Sequence, residues 1–254
     1  MKKESQQRRN VLVTGGSRGL GRAIAEAFAV DGYRVAVHFV RNRVAADACL
    51  AALAGDRHTL VEGAIAAPDE ARAVFSAAVE QLGHVDMLVN NAGVYFDHSP
   101  VGTSFDEWSR AFEEMIGVNL LGPAWLCHAA IEHMRERGRG AIVNVSSRGA
   151  YRGEPSAPGY GAAKAGLNSL TQSLAVACAP HNVHVYGIAP GWIDTDMATP
   201  YLSGQDGDAI RNQSPLGRVA APSEIARIAL FLASEESSWM TGSIVDANGA
   251  SYLH

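Results

Sequence analysis

The sequence is poor in the features that mark disulfide, metal, membrane and nucleic-acid proteins. It has three cysteines, Cys49, Cys127 and Cys178. They are scattered and form no Cys-x-x-Cys pair, which suits reduced thiols in a cytoplasmic protein. The nine histidines include no His-Glu-x-x-His and no Cys/His ligand spacing, so no metal site is expected. No run of about 18 uncharged apolar residues occurs, so no membrane span is expected. The formal net charge of −5 has the wrong sign for a general nucleic-acid binder. The basic start, residues 1–9 with Lys2, Lys3, Arg8 and Arg9, is followed by no long apolar run. It reads as a frayed, solvated tail rather than a targeting signal. Linkers of low complexity and solenoid repeats are also missing. The 254 residues, 47% of them hydrophobic, therefore read as one domain, 1–254.

What is there is a regular alternation of short apolar runs and longer helical patterns. Strands are expected at Asn10–Thr14, Arg34–Phe39, His58–Glu62, Val85–Asn90, Gly140–Val145, Val183–Ile188 and near Ile244–Asp246. Helices are expected at Leu20–Val30, Val44–Ala54, Asp69–Gln81, across a long region from about Ser104 to Arg137, and at Pro158–Cys178 and Ser223–Ala233. The strands are apolar on both faces, as parallel strands covered by helices must be. Repeated strand–helix–strand units imply right-handed crossovers and a doubly wound parallel sheet, an α/β fold with helices on both faces. The longest irregular stretch is Trp192–Arg218, rich in Gly, Asp and Pro; its position favours a substrate lid over a plain surface excursion.

Between the first strand and first helix lies Thr14-Gly15-Gly16-Ser17-Arg18-Gly19-Leu20-Gly21. Glycines let a backbone approach a pyrophosphate, and a helix N-terminus offers free N–H groups and a positive dipole. The alternative is a tight strand–helix turn with no ligand. Further along, Tyr160 and Lys164 stand four residues apart on an expected helix and share a face. A free tyrosine, with a pKa near 10, is a poor acid–base group at neutral pH. A nearby lysine cation would lower that value. Ser147 falls at the C-terminal end of an expected strand, the sheet edge where ligands sit in doubly wound folds.

Taken together, Thr-Gly-x-x-x-Gly-x-Gly at 14–21, Asn90-Asn91-Ala92-Gly93, Ser147 with Tyr160-x-x-x-Lys164, and Pro190-Gly191 followed by Thr195 resemble the short-chain dehydrogenase/reductase family. The resemblance runs from Val11 to about Ser251 and extends to the 3-oxoacyl-ACP-reductase-like members, to which the chain is similar. It implies a single-domain Rossmann-like fold and hydride transfer between a nicotinamide cofactor and a carbonyl or alcohol. By that resemblance Ser147 hydrogen-bonds the substrate oxygen, Tyr160 transfers the proton, and Lys164 binds the ribose while tuning Tyr160. Asn119, in Val118-Asn119-Leu120, matches the asparagine that supports a water-linked proton relay; helix kinking or backbone capping is a compatible reading. Ser146 competes with Ser147, which has the matching spacing to Tyr160. The cofactor-binding set implied is Gly15, Ser17, Arg18, Gly19, Leu20, Gly21, Arg41, Asn90, Ala92, Gly93, Tyr160, Lys164, Pro190, Gly191, Ile193 and Thr195. Within it, Asn90 and Ala92 would flank the adenosine ribose and Thr195 would meet the nicotinamide carboxamide, while Asn91 braces the central sheet. One departure is Ala64, where many members carry an acid that contacts adenine.

An NAD enzyme places Asp or Glu at the end of the second strand to bond the ribose hydroxyls. Here the segment is His38-Phe39-Val40-Arg41-Asn42-Arg43, with no acid. Arg41, with Arg18 facing the same ribose in the family geometry, suits a 2′-phosphate, so NADP(H) is expected over NAD(H). Tyr95, Phe96, Tyr151, Trp192 and Met197 are expected around the substrate, although core filling explains any one of them equally well. Arg148, Arg152 and Glu154 would add charge at the same mouth. The partner is a small carbonyl or alcohol: a 3-oxoacyl thioester, polyol, quinone or steroid-like ketone. Neither membrane nor nucleic acid is expected as a partner. A homo-oligomer, a tetramer, is expected from the family's paired long helices and C-terminal strands. Rival readings are a noncatalytic NADP sensor or scaffold and an RNA-binding dinucleotide fold.

Overall fold

In the computed structural model, which describes residues 9–254, each expected strand is found. They are β1 Asn10–Val13, β2 Arg34–Phe39, β3 Thr59–Glu62, β4 Met87–Asn90, β5 Gly140–Val145, β6 Val183–Pro190 and β7 Ile244–Ala247. All pair in parallel, in the order β3-β2-β1-β4-β5-β6-β7. The chain winds outward from β1 to β3, then returns to lay β4 on the other side of β1. That reversal opens a crevice at the C-terminal ends of β1 and β4, the usual ligand position in such sheets.

The helices are α1 Gly19–Val30, α2 Arg43–Ala52, α3 Pro68–Leu82, α4 Phe105–Ile116, α5 Gly122–Arg137, α6 Gly149–Arg152, α7 Pro158–Cys178, α8 Thr199–Leu202, α9 Gly207–Arg211 and α10 Pro222–Leu232. Successive strand side chains feed opposite faces. Val11 and Val13 enter a core with Ile24 and Phe28 of α1 and Ile225 and Leu232 of α10. Leu12 enters the other, with Phe75 of α3, Leu126 and Met134 of α5 and Ala175 of α7. Both faces of each central strand are buried, which is why the strands read as unbroken apolar runs.

Three details depart from expectation. The long helical region is not one helix: a π-helical segment, Gly117–Leu121, separates α4 from α5. The stretch 192–218 is not irregular either. It carries α8 and α9 around a small core of Ala198, Leu202 and Ile210, with Trp192, Tyr201 and Val219 packed against it. At the start, Arg9 is anchored rather than frayed: its guanidinium pairs with Glu235 at 2.7 Å and its carbonyl accepts from Arg34 N–H at 3.0 Å. The remainder of the expected basic tail, 1–8, lies outside the described residues.

Candidate active site

The glycine loop is tied down by backbone contacts that leave no room for side chains. Gly15 and Gly19 adopt φ of 60° and 53°, where L-residues are strained. A Cβ on Gly21 would lie 2.1 Å from the Gly15 carbonyl oxygen and 2.5 Å from Asn91 Nδ2. Asn91 Nδ2 donates to the carbonyls of Thr14 (2.9 Å) and Gly15 (3.3 Å), and Thr14 Oγ1 accepts from the N–H of Asn91 and Ala92. Asn91 thus braces the loop against the end of β4. No side chain caps α1, so its N-terminal N–H groups face the crevice uncommitted to a cap.

His38, near the end of β2, is a residue that motif reading did not single out. It is fully buried. Its Nδ1 accepts from Gly15 N–H at 3.1 Å, which puts the proton on Nε2, 2.9 Å from the Gly63 carbonyl. A neutral imidazole therefore pins the glycine loop to the turn after β3. Burial pushes its pKa below the ordinary histidine value of 6.5. Its place in an apolar strand, one residue before Phe39, was the available signal.

Arg18 and Arg41 flank this end of the crevice, and both are exposed. Neither has an ion-pair partner among the described residues, whereas neighbouring Arg43 is held by Asp47 at 3.1 Å. Asn90 differs from expectation. Its side chain is buried in the sheet, donating to Asn144 Oδ1 at 2.9 Å and Cys127 Sγ at 3.3 Å, so only its backbone is left for a ribose.

Across the crevice, β5 runs out at Val145 and α7 stands beside it. Ser146 Oγ donates to the Lys164 carbonyl and is buried. Ser147 Oγ accepts from Gly149 N–H at 3.0 Å and its hydroxyl acts on the Tyr160 phenol, which favours Ser147 over Ser146 as the partner of Tyr160. Lys164 Nζ donates to the Val145 carbonyl at 2.7 Å and lies 5.6 Å from the Tyr160 ring centroid. Burial opposes charge on both groups, pushing the phenol up to about 12 and the ammonium down to about 8. The expected lowering of Tyr160 by Lys164 is not what this protein chain provides by itself. Desolvation dominates, offset by the Ser147 hydrogen bond and reinforced by Glu154 and Tyr95.

Asn119 is fully buried in the π-helical segment. Its amide bonds both backbone groups of Val94, accepting from N–H and donating to C=O at 2.9 Å each. A Cβ on Gly93 would come within 2.9 Å of Asn119 Oδ1 and 3.9 Å of Lys164 Nζ. One on Gly19 would lie 3.4 Å from Thr195 Cγ2. The glycine loop, Gly93, Asn119, Lys164 and Thr195 therefore lie along one cleft, bare of side chains at its glycines, where an extended dinucleotide would pass. The residues present fit a nicotinamide dinucleotide.

Aromatic side chains close the Tyr160 end. Tyr95 packs edge-on to Tyr160 at 5.0 Å and to Tyr201 at 5.9 Å, and Tyr201 meets Trp192 at 5.4 Å. Phe96 lies beside His98, and Met197 is half exposed. Tyr151, by contrast, stacks on His254 at 3.7 Å and accepts from Tyr252 through its carbonyl, so the C-terminal segment occupies it. Arg148 is also not at the mouth: it is buried and reaches Gln213 on the other side of the strand end.

With the geometry established, comparison with known proteins gives the family. Residues 15–249 match a family model described as enoyl-(acyl carrier protein) reductase. The chain belongs to the short-chain dehydrogenase/reductase family. Among its relatives, a 3-oxoacyl-(acyl-carrier-protein) reductase of Staphylococcus aureus is 35% identical over 247 residues, covering 96% of this chain and 98% of the relative. An acetoacetyl-CoA reductase of Rhizobium meliloti is 38% identical over 246 residues, with 96% and 99% covered. A solved structure described as a short-chain alcohol dehydrogenase of Sinorhizobium meliloti superposes with a TM-score of 0.89 at 33% identity, covering 96% of each chain. The chain is thus an oxidoreductase of a family that binds a nicotinamide cofactor, on the Rossmann-like sheet described above. Among the described residues no helix is long and apolar enough to cross a membrane.

Proposed function

We propose that the protein reduces a ketone to an alcohol with NADPH, with a 3-oxoacyl thioester as the first substrate to test. The observation that carries the reading is the convergence of Ser147, at the end of β5, with Tyr160 and the buried Lys164 of α7, whose ammonium donates to the Val145 carbonyl. Two hydroxyls converge there on one point, where a carbonyl oxygen would accept from both. Tyr160, its proton held firmly by burial, acts as the general acid, and Ser147 orients the oxygen. Lys164 binds the ribose and, once charged, favours the phenolate left after proton transfer. Asn119 holds Val94 and so fixes the floor of the cleft. The nicotinamide, when bound, supplies the hydride. The relatives' names support the thioester, because they act on 3-oxoacyl and acetoacetyl groups.

Arg18 in the glycine loop and Arg41 just past β2, both exposed and without an ion-pair partner among the described residues, support NADPH through charge-assisted bonds to a 2′-phosphate. The stretch 192–218 serves as a lid: Trp192 and Tyr201 stand over the Tyr160 end, and its small core lets it move as a unit. A single domain, a cytoplasmic setting and a homotetramer complete the proposal. Exposed Leu121 and Trp125 beside α5, and Trp239 before β7, offer apolar area for pairing. Light scattering tests the assembly; a monomer at micromolar concentration contradicts it.

The experiment for the activity is a panel of 3-oxoacyl thioesters, simple ketones, quinones and 2-enoyl thioesters, followed by NADPH absorbance. Turnover of a ketone supports the proposal. Turnover of enoyl thioesters alone overturns it, and so does a protein that binds NADPH yet reduces nothing.

A further inference from the structure

Between the 214–220 segment, α10 and the end of β7 lies a cavity of about 180 Å³. Trp192, Ile210, Ile225, Ile228 and Ala247 make its walls apolar, and Leu216 at its rim is 65% exposed. Two cations line it, and of these Arg218 is held by Glu224. Arg148 is 4% exposed; its Nη2 donates to the Gln213 side-chain oxygen, while its buried Nη1 has no partner.

The groups around Arg148 are already engaged. Glu154 pairs with Arg152 at 3.9 Å, and Glu224, across the cavity, pairs with Arg218 at 2.7 Å. Ser214 Oγ donates to the Gly249 carbonyl, Ser251 Oγ to that of Asn248, and Asn248 Nδ2 to that of Tyr252. No carboxylate among the described residues reaches ion-pairing distance of Arg148. A buried guanidinium with an unmet donor is costly, and burial already pulls this one down to about 10. An anion would meet both the charge and the donor, and apolar walls would meet an alkyl chain.

We propose that this cavity binds a short-chain aliphatic monocarboxylate, its carboxylate on Arg148 Nη1 and its chain against Trp192, Ile225 and Ile228. The size agrees. A water occupies about 30 Å³, so the cavity holds a carboxylate with a few carbons, and it falls short of the roughly 300–1,000 Å³ of larger ligand sites. Arg148 follows Ser147 directly, and Gln213 lies just beyond α9, so the ligand would seat the base of the 192–218 segment while leaving the reacting groups untouched.

The test is calorimetric titration of the full-length protein with sodium butanoate at constant ionic strength. Butanamide serves as the uncharged isostere and sodium bromide as the bare anion. Wild-type protein and the Tyr160→Phe variant should bind butanoate alike, and butanamide at least roughly tenfold more weakly, the loss of one charge-assisted bond. Arg148→Met should lose butanoate binding by a similar factor. Ile228→Trp fills the cavity from α10 without touching Arg148, and should block binding even if Arg148→Met does not fold. Absence of butanoate binding overturns the proposal. Equal binding of butanamide, retention in Ile228→Trp, loss in Tyr160→Phe, or bromide binding without butanoate each overturn it as well.

Discussion

The two ends of the cleft are built on different principles. At the nucleotide end, glycines and a neutral histidine hold backbone against backbone, and the charged groups, Arg18 and Arg41, stand in solvent. At the catalytic end, polar side chains are withdrawn from solvent: Lys164 and Asn119 are buried, and the half-buried Tyr160 has a phenol whose charge desolvation opposes. One end is shaped by missing side chains, the other by side chains placed at a desolvation cost. Substitutions at the first should alter binding, and at the second chemistry.

The largest effect is expected at the catalytic end. Tyr160→Phe removes the proton donor and keeps the ring packed on Tyr95, so turnover should fall by about 10²–10⁴-fold with the fold intact. Steady-state kinetics and NADPH fluorescence check both halves; a parallel loss of binding would erase the contrast between the ends. Gly21→Ala should do the converse. Its Cβ would meet the Gly15 carbonyl oxygen at 2.1 Å, so NADPH affinity should drop by roughly tenfold to a hundredfold, an overpacking strain of about 1–3 kcal/mol. Unchanged affinity would show that the loop can yield. Arg41→Ala should weaken NADPH by about tenfold to a hundredfold and leave NADH nearly unchanged, the value of one charged hydrogen bond. Equal loss for both cofactors would remove the 2′-phosphate from the account.

Smaller, pH-linked effects separate the ends further. The Lys164 ammonium, drawn down to about 8, loses its proton as pH rises through that value, so NADPH affinity should decline above it. In Lys164→Met affinity should be lower throughout and show no such break. His38 has the opposite dependence. Because its folded pKa lies below 6.5, the unfolded chain takes up the proton first, and this contribution to stability is lost as pH falls below about 6.5. Thermal denaturation of wild type and His38→Gln across that range measures the difference; parallel curves would mean that His38 does not hold the loop in its neutral form.

Much of the nucleotide end was legible in the sequence, because glycine spacing and strand periodicity are local properties. Gly15, Gly19, Gly21 and Asn91 lie where reading them as a loop braced on β4 places them. The meeting of Ser147, Tyr160 and Lys164 was legible too, since Tyr160 and Lys164 share one helical face and Ser147 ends a strand. What escaped depends on direction rather than composition. Arg148 follows Ser147 but points away from it. Asn90 turns into the sheet, and Tyr151 is taken by the C-terminal segment. The π-helical segment that carries Asn119 left no periodic trace, because it interrupts the helical pattern by a few residues only. The helices α8 and α9, five residues or fewer each, are held by Ala198, Leu202 and Ile210 and were too short to show a period.

The central claim is that hydride passes to a carbonyl carbon beside Tyr160. It is tested most directly with NADPH deuterated at the transferring position, a 3-oxoacyl thioester substrate and mass analysis of the product. The account predicts deuterium on the new carbinol carbon in the wild type and its loss, with NADPH still bound, in Tyr160→Phe. Deuterium on a carbon of a reduced double bond, or undiminished labelling by Tyr160→Phe, would contradict it.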